Sequence, residues 1–317
     1  MPDELEFEKP ILELENRIAT LRAAEDGTVA REEIAKLEER LRRTQQRVYA
    51  SLTAWQRAQI ARHPKRPHAL DFFRLLLDDF VELHGDRVYG DDMAIVGGLA
   101  VFEGAPVVVL GHQKGRDTRE NIARNFGMPH PEGYRKALRL MQLAAKFGKP
   151  IVTLIDTPGA FPGLGAEERG QAEAIARNLR EMAGLRTPVV AVVTGEGGSG
   201  GALAIGVANR VLMLEHAVYS VISPEGCAAI LWGDAAKAPE AASLMRVTAP
   251  DLLKLGVIDA VVREPVGGAH RSWEEAAANL RTALREHLAD LRSRSGDALV
   301  QDRFDKFRRI GVFEEAV

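Results

Sequence analysis

The β-branched run Val189-Val190-Ala191-Val192-Val193-Thr194 leads straight into Gly195-Glu196-Gly197-Gly198-Ser199-Gly200-Gly201, with five glycines in seven positions. The run reads as a strand, and the small residues after Gly200 read as the start of a helix. A turn stripped of side chains between them leaves backbone N–H groups bare at a helix N-terminus. There the amides and the helix dipole favour a negative charge. A tight strand-to-helix turn needs one or two glycines. Five imply that something approaches the backbone closely.

The surrounding pattern makes this turn one unit of an α/β domain. Strand-like runs occur at 94–101, 106–111, 151–156, 189–194, 210–214 and 258–262, and helical patterns at 134–147 and 167–182 lie between them. In the latter, Ala172, Ile175, Ala176, Leu179 and Met182 share one face. Strands alternating with helices predict a largely parallel sheet, with the core between residues 69 and 265. Residues 69–83 read as helix. Ser272-Trp273-Glu274-Glu275 reads as a capping box opening a C-terminal helix that carries Leu280, Leu284, Leu288 and Leu291. Residues 8 to 57 carry apolar residues at three-four spacing, broken at Asp26-Gly27, and predict a helical hairpin that ends at His63-Pro64-Lys65-Arg66-Pro67-His68.

Composition narrows the function. Net charge is −3, so no overall basic field favours nucleic acid. No apolar run approaches the roughly 20 residues that span a bilayer, and the acidic N-terminus lacks the pattern of a signal peptide. Cys227 is the sole cysteine, which leaves no disulfide framework and no thiolate metal cluster, and it reads as a core residue. The scattered histidines show no metal-ligand spacing, so no metal is expected in this chain. A cytoplasmic setting fits these features.

Three chemical templates compete for the glycine turn. Gly195-Glu196-Gly197-Gly198-Ser199-Gly200 satisfies the dinucleotide fingerprint, with Glu215 twenty positions after Gly195, and would make the chain an NAD-dependent oxidoreductase. Gly197-Gly198-Ser199-Gly200-Gly201 matches the hydrolase nucleophile elbow, with His216 and His270 downstream. The third template is an oxyanion hole of main-chain amides, in which no side chain performs the chemistry. A non-enzymatic scaffold is the remaining reading.

Longer motifs discriminate among these. Ile155-Asp156-Thr157-Pro158-Gly159-Ala160-Phe161-Pro162-Gly163, Gly165-Ala166-Glu167-Glu168-Arg169-Gly170-Gln171, Gly111-His112-Gln113-Lys114-Gly115-Arg116, Arg124-Asn125-Phe126-Gly127-Met128-Pro129 and Ser220-Val221-Ile222-Ser223-Pro224-Glu225-Gly226-Cys227 stand in order around the glycine turn. Together they closely resemble the α subunit of bacterial acetyl-coenzyme A carboxylase carboxyltransferase, over essentially the full chain. Phe161 departs from the tyrosine common in that family. The resemblance implies a crotonase-like fold of stacked βα units with an N-terminal helical hairpin (1–62, the expected partner contact) and a carboxyltransferase domain (63–317) whose C-terminal helices begin near 272. It also implies a separate β subunit that carries zinc and holds acetyl-coenzyme A in an α2β2 assembly. A biotin carboxyl carrier protein would deliver carboxybiotin, and biotin carboxylase would belong to the wider complex. The product would be malonyl-coenzyme A for fatty-acid synthesis.

By motif match, the N–H groups of Gly200 and Gly201 form the oxyanion hole, Gly197 and Gly198 shape the approach, and Gly159 and Ala160 wall the pocket. Ser199 then starts the helix, and Asp156 caps a neighbouring turn. The stretch from His112 to Lys149 holds nine Lys or Arg against three Asp or Glu. Within it, Lys114, Arg116 and Arg119 are candidates to attract coenzyme A phosphates or an acidic carrier.

Overall fold

The computed structural model describes residues 4–23 and 27–311, so Asp26 of the expected hairpin break lies outside the described residues. Helices α1 (Lys9–Ala23) and α2 (Gly27–Ala50) form the antiparallel hairpin, laced on its surface by Arg17–Glu33 and Arg22–Glu38. The second helix stops sooner than its periodicity suggests. Thr53 and Gln56 form a reciprocal capping box that opens a new helix, α3 (Ala54–Ala61). Ala58 and Ala61 of α3 pack on Val218 and Val247 of the body.

Eight strands make one sheet: β1 (Asp78–Glu82), β2 (Ile95–Phe102), β3 (Ala105–His112), β4 (Ile151–Thr157), β5 (Val189–Gly198), β6 (Arg210–Leu214), β7 (Val218–Ser220) and β8 (Ala260–Val262). β1, β2 and β3 are antiparallel neighbours, and β4, β5, β6 and β8 then add in parallel. β4 and β5 are buried along their whole length, as continuous apolar runs in a parallel sheet require. β1 replaces the second half of the expected helix 69–83. It is an edge strand, Asp-Asp-Phe-Val-Glu, whose side chains face solvent or lie half-buried.

The helices between and after the strands are α4 (Ala69–Leu76), α5 (Thr118–Ala123), α6 (Pro131–Lys146), α7 (Leu164–Glu168) and α8 (Gln171–Gly184). They are followed by α9 (Ser199–Leu203), α10 (Pro224–Trp232), α11 (Ala238–Met245), α12 (Ala249–Lys254), α13 (Trp273–Arg292) and α14 (Gly296–Arg308). The expected helix 167–182 is broken by left-handed Gly170, and its buried face is Gln171, Ala174, Asn178 and Met182, so that of the apolar stripe read from sequence Met182 is buried and Ile175 and Leu179 half-buried. Asn178 is buried because its amide donates to the carbonyls of Tyr134 and Ala204, joining α6, α8 and the turn after α9. Ser272 caps α13, whose four leucines are buried as the periodicity requires.

A fully buried ion pair fastens the loop before α4 to the strand ends. Arg66 donates to both carboxylate oxygens of Glu264 at 2.8 and 2.5 Å and to the Thr194 carbonyl, while Glu264 accepts from the backbone of His216 and Ala269. Burial alone would raise the Glu264 carboxyl. Arg66 and the other donors outweigh it and hold the group at about 2, against an ordinary 4.5. A carboxyl depressed by folding stabilises the protein above its unfolded value, and that contribution is lost as pH falls from 4.5 toward 2. Glu264→Gln is expected to cost about 3–5 kcal/mol at pH 7. In thermal melts it should also flatten the acid side of the stability curve, and an unchanged melting temperature at pH 7 would contradict the assignment.

Candidate active site

At the end of β5 the chain leaves β6. Glu196, Gly197 and Gly198 pair with Val218, Tyr219 and Ser220 of β7, while Gly197 stands opposite Thr157 of β4 across a register shift. Two backbones meet here at van der Waals range or closer. A Cβ on Gly201 would lie 2.5 Å from the Gly159 carbonyl carbon and 2.7 Å from the Ala160 nitrogen. One on Gly198 would strike the Pro158 carbonyl, one on Gly197 the Tyr219 ring, and one on Gly195 the Asp156 carboxylate. Four of the five glycines are therefore required by packing. Gly200 is different, because the nearest atom to its Cβ position is Ile175 Cδ1 at 3.6 Å, an ordinary contact. The glycine excess marks one open position, not five.

The chain reverses at Ser199, whose φ of +51° is left-handed for a residue with a side chain. α9 starts there, with no side chain capping it, so the N–H groups of Ser199, Gly200 and Gly201 have no acceptor within the helix. Ser199 and Gly200 open on a cleft of about 810 Å³ whose far wall is Pro158, Gly159, Ala160 and Phe161. Gly159 is itself at φ +155°, and the Thr157 hydroxyl both accepts from its N–H and donates to its carbonyl. Phe161 is fixed by stacking on His130 at 4.2 Å and by Gln171, which donates to the carbonyls of Pro129 and Phe161. A second, almost wholly apolar cavity of about 370 Å³ reaches the same Ser199 and Gly200 from the side of Tyr219, Leu252 and Phe307.

Charged groups back the turn. Lys114 Nζ lies 2.6 Å from Asp156 Oδ1, which also accepts the Glu196 N–H at 3.0 Å. Burial would raise the Asp156 carboxyl, but Lys114 beside it keeps it below its ordinary value. Asp156 therefore faces the protein interior and not the cleft. On the cleft side, Arg62 bridges Glu196 and Glu225. None of these three residues was singled out from the sequence, since they meet only in the fold.

Several expectations require correction. Lys114 is committed to Asp156, and Arg116 to Asp71, to the carbonyls of Pro64 and Arg66, and to the Trp273 ring. Lys114 is half-buried, whereas Arg116 and Arg119 are both exposed. Cys227 is half-buried on α10, not in the core. Glu215, just past β6, accepts the Glu264 N–H, the glycine turn ends the fifth strand rather than the first, and α9 has five residues, so the dinucleotide template fails. No histidine lines either cavity at Ser199, which removes the base a nucleophilic serine needs. The scattered histidines do converge: His63 and His270 stack at 4.1 Å, with Glu8 3.6 Å from His270. Glu8 is already bonded to Tyr49 and Arg271, so this cluster fastens the N-terminal segment to the body.

A largely parallel sheet flanked by helices is the crotonase-like fold of the carboxyltransferases. Solved structures bear this out: a 12S transcarboxylase superposes with TM-score 0.57 at 20% identity, over 71% of this chain and 42% of that one. A Pseudomonas malonate decarboxylase hetero-tetramer with coenzyme A superposes at 0.59 and 21%, over 74% and 91%. At such identities the likeness defines the fold. In sequence, residues 4–311 match the family described as acetyl co-enzyme A carboxylase carboxyltransferase-like. Acetyl-coenzyme A carboxylase carboxyl transferase α subunits are 58% identical over 313 residues in Geobacter metallireducens (98% of both chains) and 59% over 313 residues in Thermus thermophilus (98% of this chain, 99% of the other). The chain belongs to this α-subunit family.

The contrast between neighbouring glycines gives a test. Gly201→Ala should destabilise the fold by about 1–3 kcal/mol, because the new methyl meets backbone. Gly200→Ala should leave the melting temperature unchanged or slightly raised while kcat/KM of the assembled enzyme falls about tenfold or more. Retention of full activity by Gly200→Ala would show that the open position is not used.

Proposed function

We propose that the cleft over Gly200 is where this subunit receives carboxybiotin from a separate carrier protein. Carboxyl transfer to acetyl-coenzyme A, giving malonyl-coenzyme A for fatty-acid synthesis, is the activity of the family to which the chain belongs. The observation that supports the site assignment is the uncapped first turn of α9, whose Ser199 and Gly200 line a roomy cleft together with Gly159 and Ala160, while Gly201 lies buried just behind them. The donor set fits a small neutral ring bearing a polarised oxygen: amides without competing acceptors, on a turn where most side chains are excluded by contact.

When bound, biotin supplies the carboxyl group and a ureido nitrogen able to act as a base. The part left to this chain is positional and electrostatic. The N–H groups of Gly200 and Gly201 would hold the ureido oxygen and favour negative charge on it. Such a donor is typically worth about 3–4 kcal/mol of barrier. Gly197 and Gly198 hold the turn against β7 and the Pro158 carbonyl, and Gly159 and Ala160 form the facing wall. Because those donors are fixed before the substrate arrives, no reorganisation is needed during the reaction. No cleft side chain has to take or give a proton.

The remaining parts belong to partners. The subunit's family implies a β subunit, and we assign to it acetyl-coenzyme A and the zinc site, within an α2β2 assembly served by the carrier protein and biotin carboxylase in the cytoplasm. Among the described residues no helix is long and apolar enough to cross a membrane. The surface supports a partner beside the cleft: Val221 at its rim is 79% exposed, and Ile230 and Leu231 of α10 stand largely in solvent. The described part of the α1–α2 hairpin exposes no large apolar side chain, so α10 is the better candidate for the β contact.

Purified chain mixed with a β subunit should catalyse carboxyl transfer between a biotin derivative and acetyl-coenzyme A in both directions, and neither subunit should do so alone. A well-assembled complex that transfers no carboxyl group would overturn the reading.

A further inference from the structure

Arg62 occupies an unusual place. It is the residue that ends α3, so its backbone is held by α3 through Ala58 and by the packing of Ala58 and Ala61 on Val218 and Val247. Its guanidinium reaches Glu196 Oε1 with Nε at 2.9 Å and Nη2 at 2.6 Å, and Glu225 Oε1 with Nη1 at 2.6 Å. Glu196 lies between Gly195 and Gly197 in the glycine turn, and Glu225 is in the first turn of α10. One side chain thus ties α3, the catalytic turn and α10 together. It also stands between two spaces, because Arg62 lines both the 810 Å³ cleft and a polar chamber of about 150 Å³ behind it, lined by His68, Lys114, Arg116 and Asp156.

We propose that Arg62 is a positioning residue for carboxyl transfer: shared between Glu196 and Glu225, it fixes the glycine turn relative to α10 and closes the cleft against the polar chamber behind it. The inference rests on the assignment of the cleft to carboxybiotin. Glu196 is the one charged residue of the turn, so its carboxylate can be gripped by an arginine where the glycines offer no side chain. Its N–H is already held by Asp156 on the inner side. Arg62 supplies the outer hold, so the turn is fixed from both faces and its amides keep their direction. A planar guanidinium with several donors can serve two carboxylates at once, which an ammonium does less well. Closure matters because water in the cleft opens a wasteful route. The N–C bond of the carboxylated biotin breaks, the nitrogen takes a proton from water, and carbon dioxide leaves without forming the new C–C bond.

The test compares wild type, Arg62→Met and Arg62→Lys in two measurements. In the isolated α subunit, hydrogen exchange at the Glu196–Gly198 amides should quicken about tenfold in Arg62→Met while the Ile151–Ile155 amides stay unchanged. In the αβ complex, kcat for transfer should fall about tenfold at little-changed KM for acetyl-coenzyme A. The ratio of carboxyl loss to carboxyl transfer from a carboxylated biotin derivative should rise, and Arg62→Lys should recover part of both effects. Wild-type exchange together with a wild-type loss-to-transfer ratio in Arg62→Met would overturn the proposal. Should Arg62→Met fail to fold, Glu225→Gln loosens the same clamp from its more exposed end and should move both readouts in the same direction. Wild-type values there would overturn it equally. A wild-type complex without transfer would sink the functional reading instead, while the exchange measurement would still decide whether Arg62 holds the turn.

Discussion

Everything at the site depends on how closely the end of β5 approaches the turn after β4. The Gly201 Cβ position is filled by the Gly159–Ala160 peptide and that of Gly198 by the Pro158 carbonyl, so no side chain fits between the two segments. The contact sets Thr157 beside Gly197, bends β5 away from β6 toward β7, and obliges the chain to reverse at Ser199. A left-handed serine costs on the order of 1 kcal/mol or more, a strain that tight packing on both sides can sustain. The result is a short helix, α9, that no side chain caps. Stabilising an anion by main-chain donors requires this kind of rigidity, since amides that must first reorient lose most of their advantage over water.

Charge supports the same geometry from behind. Lys114, Asp156, Glu196, Arg62 and Glu225 form a continuous chain of contacts around the turn. Much of the basic surplus between His112 and Lys149 is spent internally in the same way, with Arg135 on Asp86 and Glu132, and Lys136 on Asp91. Buried pairs of this kind add little net stability against their desolvation, but breaking one leaves a costly lone charge. Their effect is to define one arrangement of loops around the cleft.

How much was legible in the sequence follows from what each signal depends on. The buried parallel strands β4, β5 and β6 were readable because burial on both faces produces unbroken apolar runs. β1 was not, since an edge strand can be as polar as Asp-Asp-Phe-Val-Glu, and neither was β7, which is three residues long. The break before α3 was signalled by Thr53 and Gln56 but hidden under a helical period that ran through it. In the site, the bare amides were inferable from the glycines, but the reason for most of the glycines was not. For Gly198 and Gly201 that reason lies in the Pro158–Ala160 turn, far upstream in the chain, for Gly195 in Asp156 and for Gly197 in the Tyr219 ring. Arg62 and its two carboxylates lie 134 and 163 positions apart in the chain, and no local pattern could join them.

The account is tested most directly by a crystal structure of the αβ complex with a biotin derivative bound. The ureido oxygen should lie about 3 Å from the amide nitrogens of Gly200 and Gly201, with the ring against Gly159 and Ala160. A ring seated elsewhere, or an oxygen held by side chains while those two amides face solvent, would contradict it.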